Sequence, residues 1–274
     1  MNLPFVSCLM PTFNRFPYYR HLVDEAVECF VRQTYPAEAR ELVIWNDCPD
    51  QTLNIDEEAY RNIRIINTPR FRSLGEKRNA LVGISHGHVL LPWDDDDISL
   101  PGRVSQAVDE LCSVRPVGYD GPRVVHQSPQ NSYWTPGGYW FDEGKGLVVP
   151  NTVGYCHNCS AFTRKFFDQI KGYRHVSGDE DARWHSETLR EIHTDVSNYV
   201  RGKPNDPGHW TYVYRWNVSP RHLSGVSDCN GHYVGIGKEQ VNCGNYQIFP
   251  SWRRDYVGEV RAALDKINRG GATR

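Results

Sequence analysis

Residues 93–97 read Trp93-Asp94-Asp95-Asp96-Asp97, four consecutive carboxylates directly after the apolar run Val89-Leu90-Leu91-Pro92. Like charges this close repel by roughly 1 kcal/mol or more per pair, depending on the local dielectric, so the run calls for a counter-charge. Hard divalent cations such as magnesium or manganese take carboxylate oxygens and keep positions open for phosphate oxygens. Along an extended segment alternate residues share a face. That spacing pairs Asp94 with Asp96 as metal ligands, turns Asp95 away and leaves Asp97 an orienting role. The rival reading is a solvated acidic loop capping a following helix. The position of the run at a strand end favours the cation.

Two further segments carry charge chemistry. Phe71-Arg72-Ser73-Leu74-Gly75-Glu76-Lys77-Arg78-Asn79-Ala80 combines a glycine, basic residues and a helix start, a composition suited to a phosphate-bearing ligand. Gly178-Asp179-Glu180-Asp181 places carboxylates at the amino end of a second helix. There they could supply a general base, or simply serve capping and the helix dipole. Cys156-His157-Asn158-Cys159 has a CxxC spacing, but no second pair stands at zinc-finger distance, so structural zinc is not expected. The aromatic run over residues 133–141 could be a stacking platform for a sugar or base, or a hairpin packed into the core. The glycine-rich residues 231–238 suit a lid.

These residues must be positioned by an alternation of strands and helices. Residues 5–10, 41–45, 63–66 and 89–93 are short apolar runs of the kind buried in parallel sheets. Between them lie helical patterns over about 19–34 and 76–85, and Pro101 sits at a plausible first position of a helix reaching about residue 114. Such alternation implies right-handed crossovers and a mostly parallel sheet, and ligands bind beyond the carboxyl ends of its strands. Pro11-Thr12, Asn46-Asp47 and Asp94-Asp95-Asp96-Asp97 all fall at such ends. From residue 115 to 160 the chain turns rich in Gly, Pro, Tyr and Trp, which suits short strands and loops. A short helix is expected over 164–171, a longer one over 182–196, a strand over 210–218 and an amphipathic helix over 252–268.

In this order the segments resemble the GT-A glycosyltransferases of the family 2 type. The similar segments are Val6-Ser7-Cys8-Leu9-Met10-Pro11-Thr12-Phe13-Asn14-Arg15, Gln33-Thr34-Tyr35-Pro36, Glu41-Leu42-Val43-Ile44-Trp45-Asn46-Asp47 and the acidic run with Leu100-Pro101-Gly102-Arg103. The resemblance spans about residues 4–190. It implies a GT-A-like (Rossmann-like) α/β fold with a mostly parallel sheet flanked by helices and a smaller, irregular acceptor side. It also implies that Asp94 and Asp96 hold Mn2+ or Mg2+. The nucleotide would be bound by the loop of Pro11, Thr12 and Asn14 together with Asp47, Lys77, Arg78 and Asp95. In the family a Glu-Asp type motif supplies the base; by that match Asp181 is the candidate and Glu180 the alternative, with Asp179 in an ambiguous register. Some relatives add a late histidine to the metal, which points to His222. The donor implied is a nucleotide diphosphate sugar, a UDP-sugar by family habit, used in an inverting transfer to a hydroxyl. Arg183-Trp184 lies at the wrong spacing for the Arg-Trp of processive members, so a non-processive enzyme is expected.

Bulk properties set the outer bounds. The 274 residues are 39% hydrophobic and 23% charged, with a formal net charge of −2, an ordinary globular composition without the basic excess of a general nucleic-acid binder. The expectation is one domain, with residues 1–115 as the nucleotide-sugar-binding half and 116–274 as the acceptor and C-terminal half. No apolar run approaches the roughly 20 residues that span a bilayer, and no export signal is visible. Free thiols, a cytoplasmic location and no stable membrane insertion are the matching expectations. The acceptor is left open among a saccharide, a lipid-linked sugar, a protein and a hydroxylated DNA base. Two rival functions stand beside transfer. One is a nucleotidyltransferase, which would want a glycine-rich loop after the first strand. The other is a non-catalytic carbohydrate- or nucleic-acid-binding module on the same fold.

Overall fold

The computed structural model describes residues 3–15, 20–55, 60–114 and 157–177, with the short pieces 124–125, 133–135, 138–142, 147–151, 184, 199–201 and 211–216. Every residue of β1 (Val6–Thr12) is buried, because the strand lies in the interior of a seven-stranded sheet with helices on both faces. It pairs in parallel with β2 (Arg40–Asn46) on one side and β4 (Val89–Pro92) on the other, and β2 pairs in parallel with β3 (Ile63–Asn67). The order β4-β1-β2-β3, all parallel, is that of half a doubly wound sheet.

Alternation along these strands sorts the core into two layers. Val6, Cys8, Met10, Leu42, Ile44, Val89 and Leu91 point to one side. There they meet Val23, Ala26 and Phe30 of α1 (Arg20–Val31) and Val104, Ala107 and Leu111 of α3 (Arg103–Leu111). Leu9, Val43 and Leu90 point to the other side, against Leu81 and Val82 of α2 (Leu74–Ile84) and Phe166 and Phe167 of α4 (Arg164–Gln169). The sequence expectation of a mostly parallel, helix-flanked sheet holds. Its one antiparallel member beside β4 is β11 (Ala161–Thr163), where Phe162 pairs with Leu90.

The remaining strands are β5 (Ile98–Ser99), β6 (Ser113–Val114), β7 (Val124–Val125), β8 (Tyr133–Thr135), β9 (Gly138–Asp142), β10 (Leu147–Asn151), β12 (Tyr199–Arg201) and β13 (Tyr212–Trp216). A second sheet runs β10-β9-β13-β5. The four aspartates therefore bridge two sheets: they leave β4 of the first and enter β5 of the second. β5 pairs antiparallel with β13, which brings Tyr212 opposite Ser99.

Two helix starts show how the site is anchored. Ser73 caps α2, its hydroxyl accepting from Glu76 N at 3.2 Å, the contact expected of a serine N-cap. α3 begins at Arg103, so Pro101 does not open it as its position suggested. Pro101 lies in a turn, where its carbonyl accepts from Thr34 N at 2.8 Å. Gly102, the cap residue, has no side chain, and Gln33 Oε1 supplies the missing acceptor to Val104 N at 2.9 Å.

Gly75 admits the close approach of α2 to residues 174–176. Its N–H donates to Val176 O at 3.0 Å, and a Cβ there would stand 1.8 Å from Arg174 O. Since the obstacle is backbone, Gly75→Ala is expected to cost roughly 1–3 kcal/mol in urea denaturation. An unchanged midpoint would show that this contact does not hold α2.

Candidate active site

Thr12, Asn46 and the residues after Pro92 end their strands on one edge, because β1 pairs with β2 up to Thr12–Asn46 and with β4 up to Leu9–Pro92. The first half of α2 leans over that edge. Carboxylates and cations from four elements meet there.

Asp95, Asp96 and Asp97 are almost fully buried at 4%, 5% and 3% exposure, which rules out a solvated acidic loop. Nor is the run extended. Asp95 and Asp96 form a turn, so alternation does not govern where they point, and Asp95 is not turned away. Asp95 and Asp96 share Arg15 instead: Arg15 Nε donates to Asp95 Oδ2 at 2.8 Å, and Nη2 donates to Asp95 Oδ1 at 2.6 Å and Asp96 Oδ2 at 2.9 Å. Thr12 Oγ1 donates to Asp95 Oδ2 at 2.5 Å. Burial works against the charge of Arg15, but Asp95 and then Asp96 outweigh it and hold the guanidinium protonated well beyond its usual range. Asp97 accepts a short hydrogen bond from the Tyr212 hydroxyl. The repulsion inherent in the sequence is thus met in large part by the chain's own donors.

Asp94 is the least buried of the four, with its side chain 15% exposed. Arg78 approaches its Oδ1 at 3.3 and 3.4 Å, long for a charge-assisted pair. Among the described residues no group of three or more His, Cys, Asp or Glu side chains could hold a metal. Asp94 and Asp96 nonetheless offer hard carboxylate oxygens beside a basic helix, and a magnesium-like ion is commonly held by one or two carboxylates plus phosphate oxygens. The residues fit such an ion when a diphosphate completes its shell.

Asp47, just past β2, is 1% exposed and fully engaged. Its Oδ1 accepts from Lys77 Nζ at 2.6 Å and Arg70 Nη1 at 3.0 Å, and its Oδ2 accepts from Arg70 Nη1 at 3.1 Å and Phe71 N at 3.0 Å. Lys77 Nζ also donates to Thr12 O at 2.6 Å. Burial lowers Lys77 to about 8 against the opposing pull of Asp47. Between pH 8 and 10.5 the unfolded chain therefore binds more protons at this group than the folded one, so Lys77 makes folding stability rise with pH in that window. Replacing it in Lys77→Met is expected to flatten that rise in denaturation series across pH. A parallel slope in both proteins would contradict the assignment.

Asn14 takes a left-handed conformation, φ 55°, and its Oδ1 accepts from Gln51 Nε2 at 2.7 Å. Pro11 sits within β1. The structure thus brings Pro11, Thr12, Asn14, Asp47, Lys77, Arg78, Asp94, Asp95 and Asp96 to one edge. Asp179, Glu180, Asp181, His222, the expected helices over 182–196 and 252–268 and residues 231–238 lie outside the described residues, apart from Trp184.

Four site residues had no role in the sequence reading. Arg15 and Arg103 lie in segments that carry the family resemblance and Arg70 just before the basic segment 71–80, but nothing in their spacing marks Arg15 and Arg70 as partners of Asp95 and Asp47. Arg103 is wholly buried; its Nη1 donates to Ser99 Oγ at 2.6 Å and Nη2 to Pro92 O at 2.7 Å. It thereby clamps both ends of the acidic turn while stacking over Trp93 and Tyr212 at 5.0 and 4.8 Å. Tyr212 comes from more than a hundred residues away and is visible only once β13 pairs with β5.

A sequence profile of Glycosyl transferase family 2 matches residues 7–171, from β1 through α4. The chain belongs to glycosyl transferase family 2. Two solved structures share the fold of this family 2 protein. The mannosyltransferase PcManGT from Pyrobaculum calidifontis, in complex with GDP-Man and Mn2+, aligns with a TM-score of 0.52 and 15% identity over 81% of this chain and 59% of its own. S. aureus TarS 1-349, in complex with UDP-GlcNAc, aligns with a TM-score of 0.53 and 16% identity over 81% of this chain and 61% of its own. The chain therefore spans about three-fifths of the length of each, and at these identities the likeness concerns the fold. No curated protein matches the chain in sequence. Among the described residues no helix is long and apolar enough to cross a membrane.

Proposed function

We propose that this family 2 protein transfers a sugar from a nucleoside diphosphate donor to an acceptor hydroxyl, with inversion and without processivity. The observation that carries the reading is the convergence of Thr12, Asp47, Arg78 and the turn Asp94-Asp95-Asp96-Asp97 on the carboxyl edge of β1, β2 and β4, where nucleotides bind in such sheets. Both structural neighbours hold nucleotide sugars, one of them with Mn2+, which supports the same chemistry here. In this reading residues 1–115 bind the donor and residues 116–274 the acceptor.

Asp94 and Asp96 would hold a manganese or magnesium ion, with His222 as a further ligand by family resemblance. When bound, such an ion supplies positive charge against the leaving diphosphate. Arg78 adds a fixed cation beside it. Thr12 and Arg15 hold Asp95, and Arg103 and Tyr212 hold the rest of the turn, so these carboxylates are set before the donor arrives and little reorganisation remains for the transition state. Asp181, with Glu180 as alternative, takes the proton of the acceptor hydroxyl. The acceptor oxygen bonds to the anomeric carbon as the bond from that carbon to the phosphate oxygen breaks, and the nucleoside diphosphate leaves with the electron pair. A single displacement of this kind inverts the anomeric centre.

The test is turnover of a nucleotide-sugar panel with and without manganese, followed by product mass, beside a mixture of nucleoside triphosphate and sugar phosphate. Sugar release or transfer from the first set alone supports the reading; products from the second would indicate nucleotidyl transfer instead. Asp181→Asn is expected to keep donor binding and abolish transfer to acceptor. Robust turnover by that variant would remove the assignment of the base.

A further inference from the structure

The family resemblance assigns Asp47 to the nucleotide, yet it is buried beneath Arg70. Its oxygens already receive Lys77, Arg70 and the Phe71 amide. What reaches solvent at this end of the site is Arg70, whose side chain is 54% exposed. Asp47 engages only Nη1. The opposite edge of the guanidinium, Nε–H beside Nη2–H, has no hydrogen-bond partner among the described residues. One face of the group lies 3.7 Å over the Phe13 ring. Arg70 is thus held at one corner by a buried carboxylate and on one face by an aromatic ring, and it keeps two parallel donors without a partner among the described residues. Such a fork is already ordered before a ligand arrives, so little side-chain entropy is lost on binding.

The location fits the base of a donor rather than its phosphates. The phosphate-side carboxylates follow β4, and Asp47 follows β2, two strands away, where Arg70 of the loop after β3 pairs with it. At about 4.8 Å per strand this is roughly 10 Å, the reach of a nucleoside from its diphosphate. Resting on the donor-site reading above, we infer that Arg70 reads the donor's base and that the base is guanine, making the donor a guanosine diphosphate sugar. Two parallel donors need two adjacent acceptors. Guanine offers O6 and N7 side by side on the edge away from the ribose, the pairing on which arginine discriminates among bases. Adenine puts an amino group beside N7. Uracil flanks each carbonyl with N3–H or a carbon, and it would ask for an acceptor where Asp47 has none to spare. Cytosine has adjacent N3 and O2, but that pair abuts the glycosidic bond.

The experiment is calorimetric titration of GDP, UDP, CDP and ADP in the presence of manganese into the wild-type chain and Arg70→Lys. Lysine can still pair with Asp47 but has no two-pronged edge, so the variant retains the buried ion pair. GDP is expected to bind wild type roughly 5–150-fold more tightly than the others, the span of 1–3 kcal/mol for one bidentate arginine contact. In Arg70→Lys the preference should collapse towards unity. UDP, CDP or ADP binding as tightly as GDP, or a preference that survives the substitution, overturns the inference while leaving the donor site standing. Failure of every nucleoside diphosphate to bind overturns the donor-site reading and this inference with it.

Discussion

Arg15→Met is expected to destabilise the fold by about 3–5 kcal/mol, the cost of removing one member of a buried ion cluster and leaving its partners charged and unpaired. The side chains of Arg15, Asp95 and Asp96 are 8%, 5% and 7% exposed, so water cannot take over the lost contacts. Asp95 would keep only its hydrogen bond from Thr12 among those to its Oδ2. The measurement is urea denaturation of Arg15→Met, Asp95→Asn and the double variant. Because the two residues share hydrogen bonds, the double variant should be less destabilised than the sum of the singles by roughly 0.5–3 kcal/mol. Strict additivity would mean that Arg15 does not neutralise Asp95.

Asp94→Asn is expected to behave in the opposite way. Its contacts with Arg78 are long and its side chain is the most exposed of the four aspartates, so stability should fall by clearly less than in Arg15→Met. Transfer should fall roughly a hundredfold or more, since the ion it helps to hold supplies several kcal/mol of charge stabilisation. Extra manganese should restore part of the rate. A large stability loss with modest kinetic change would make Asp94 a structural residue like Asp95. The pair of variants therefore separates two jobs within one acidic run: Asp95 builds the turn and Asp94 serves the ligand.

That separation was not legible in the sequence, and the reason is physical. Alternation is a property of extended chain, and residues 94–97 turn between two sheets, so the pattern could not say which carboxylates share a side. The strands themselves were legible because a parallel strand buried on both faces must be largely apolar, as Cys8-Leu9-Met10 and Leu42-Val43-Ile44 are. The edge they build follows from the parallel order, which is why the sequence pattern alone groups Thr12, Asp47 and Asp95. Hidden from the sequence were the long-range counter-charges. Arg15 lies 80 positions before Asp95, and Tyr212 lies 115 after Asp97. Neither separation leaves a local signature. Asp47 shows the same limit. Its position at a strand end was visible, but its burial beneath Arg70 and Lys77 depends on where the loop after β3 folds back.

The central claim is that the carboxyl edge of this sheet binds a nucleoside diphosphate together with a divalent ion on Asp94 and Asp96. Calorimetric titration of a nucleoside diphosphate with manganese and with chelator, in wild type and in Asp94→Asn, tests it most directly. The account predicts that manganese tightens wild-type binding by roughly 5–150-fold, a coupling of 1–3 kcal/mol, and that Asp94→Asn loses most of that gain. Wild-type affinity indifferent to manganese, or a gain fully kept in the variant, would contradict it.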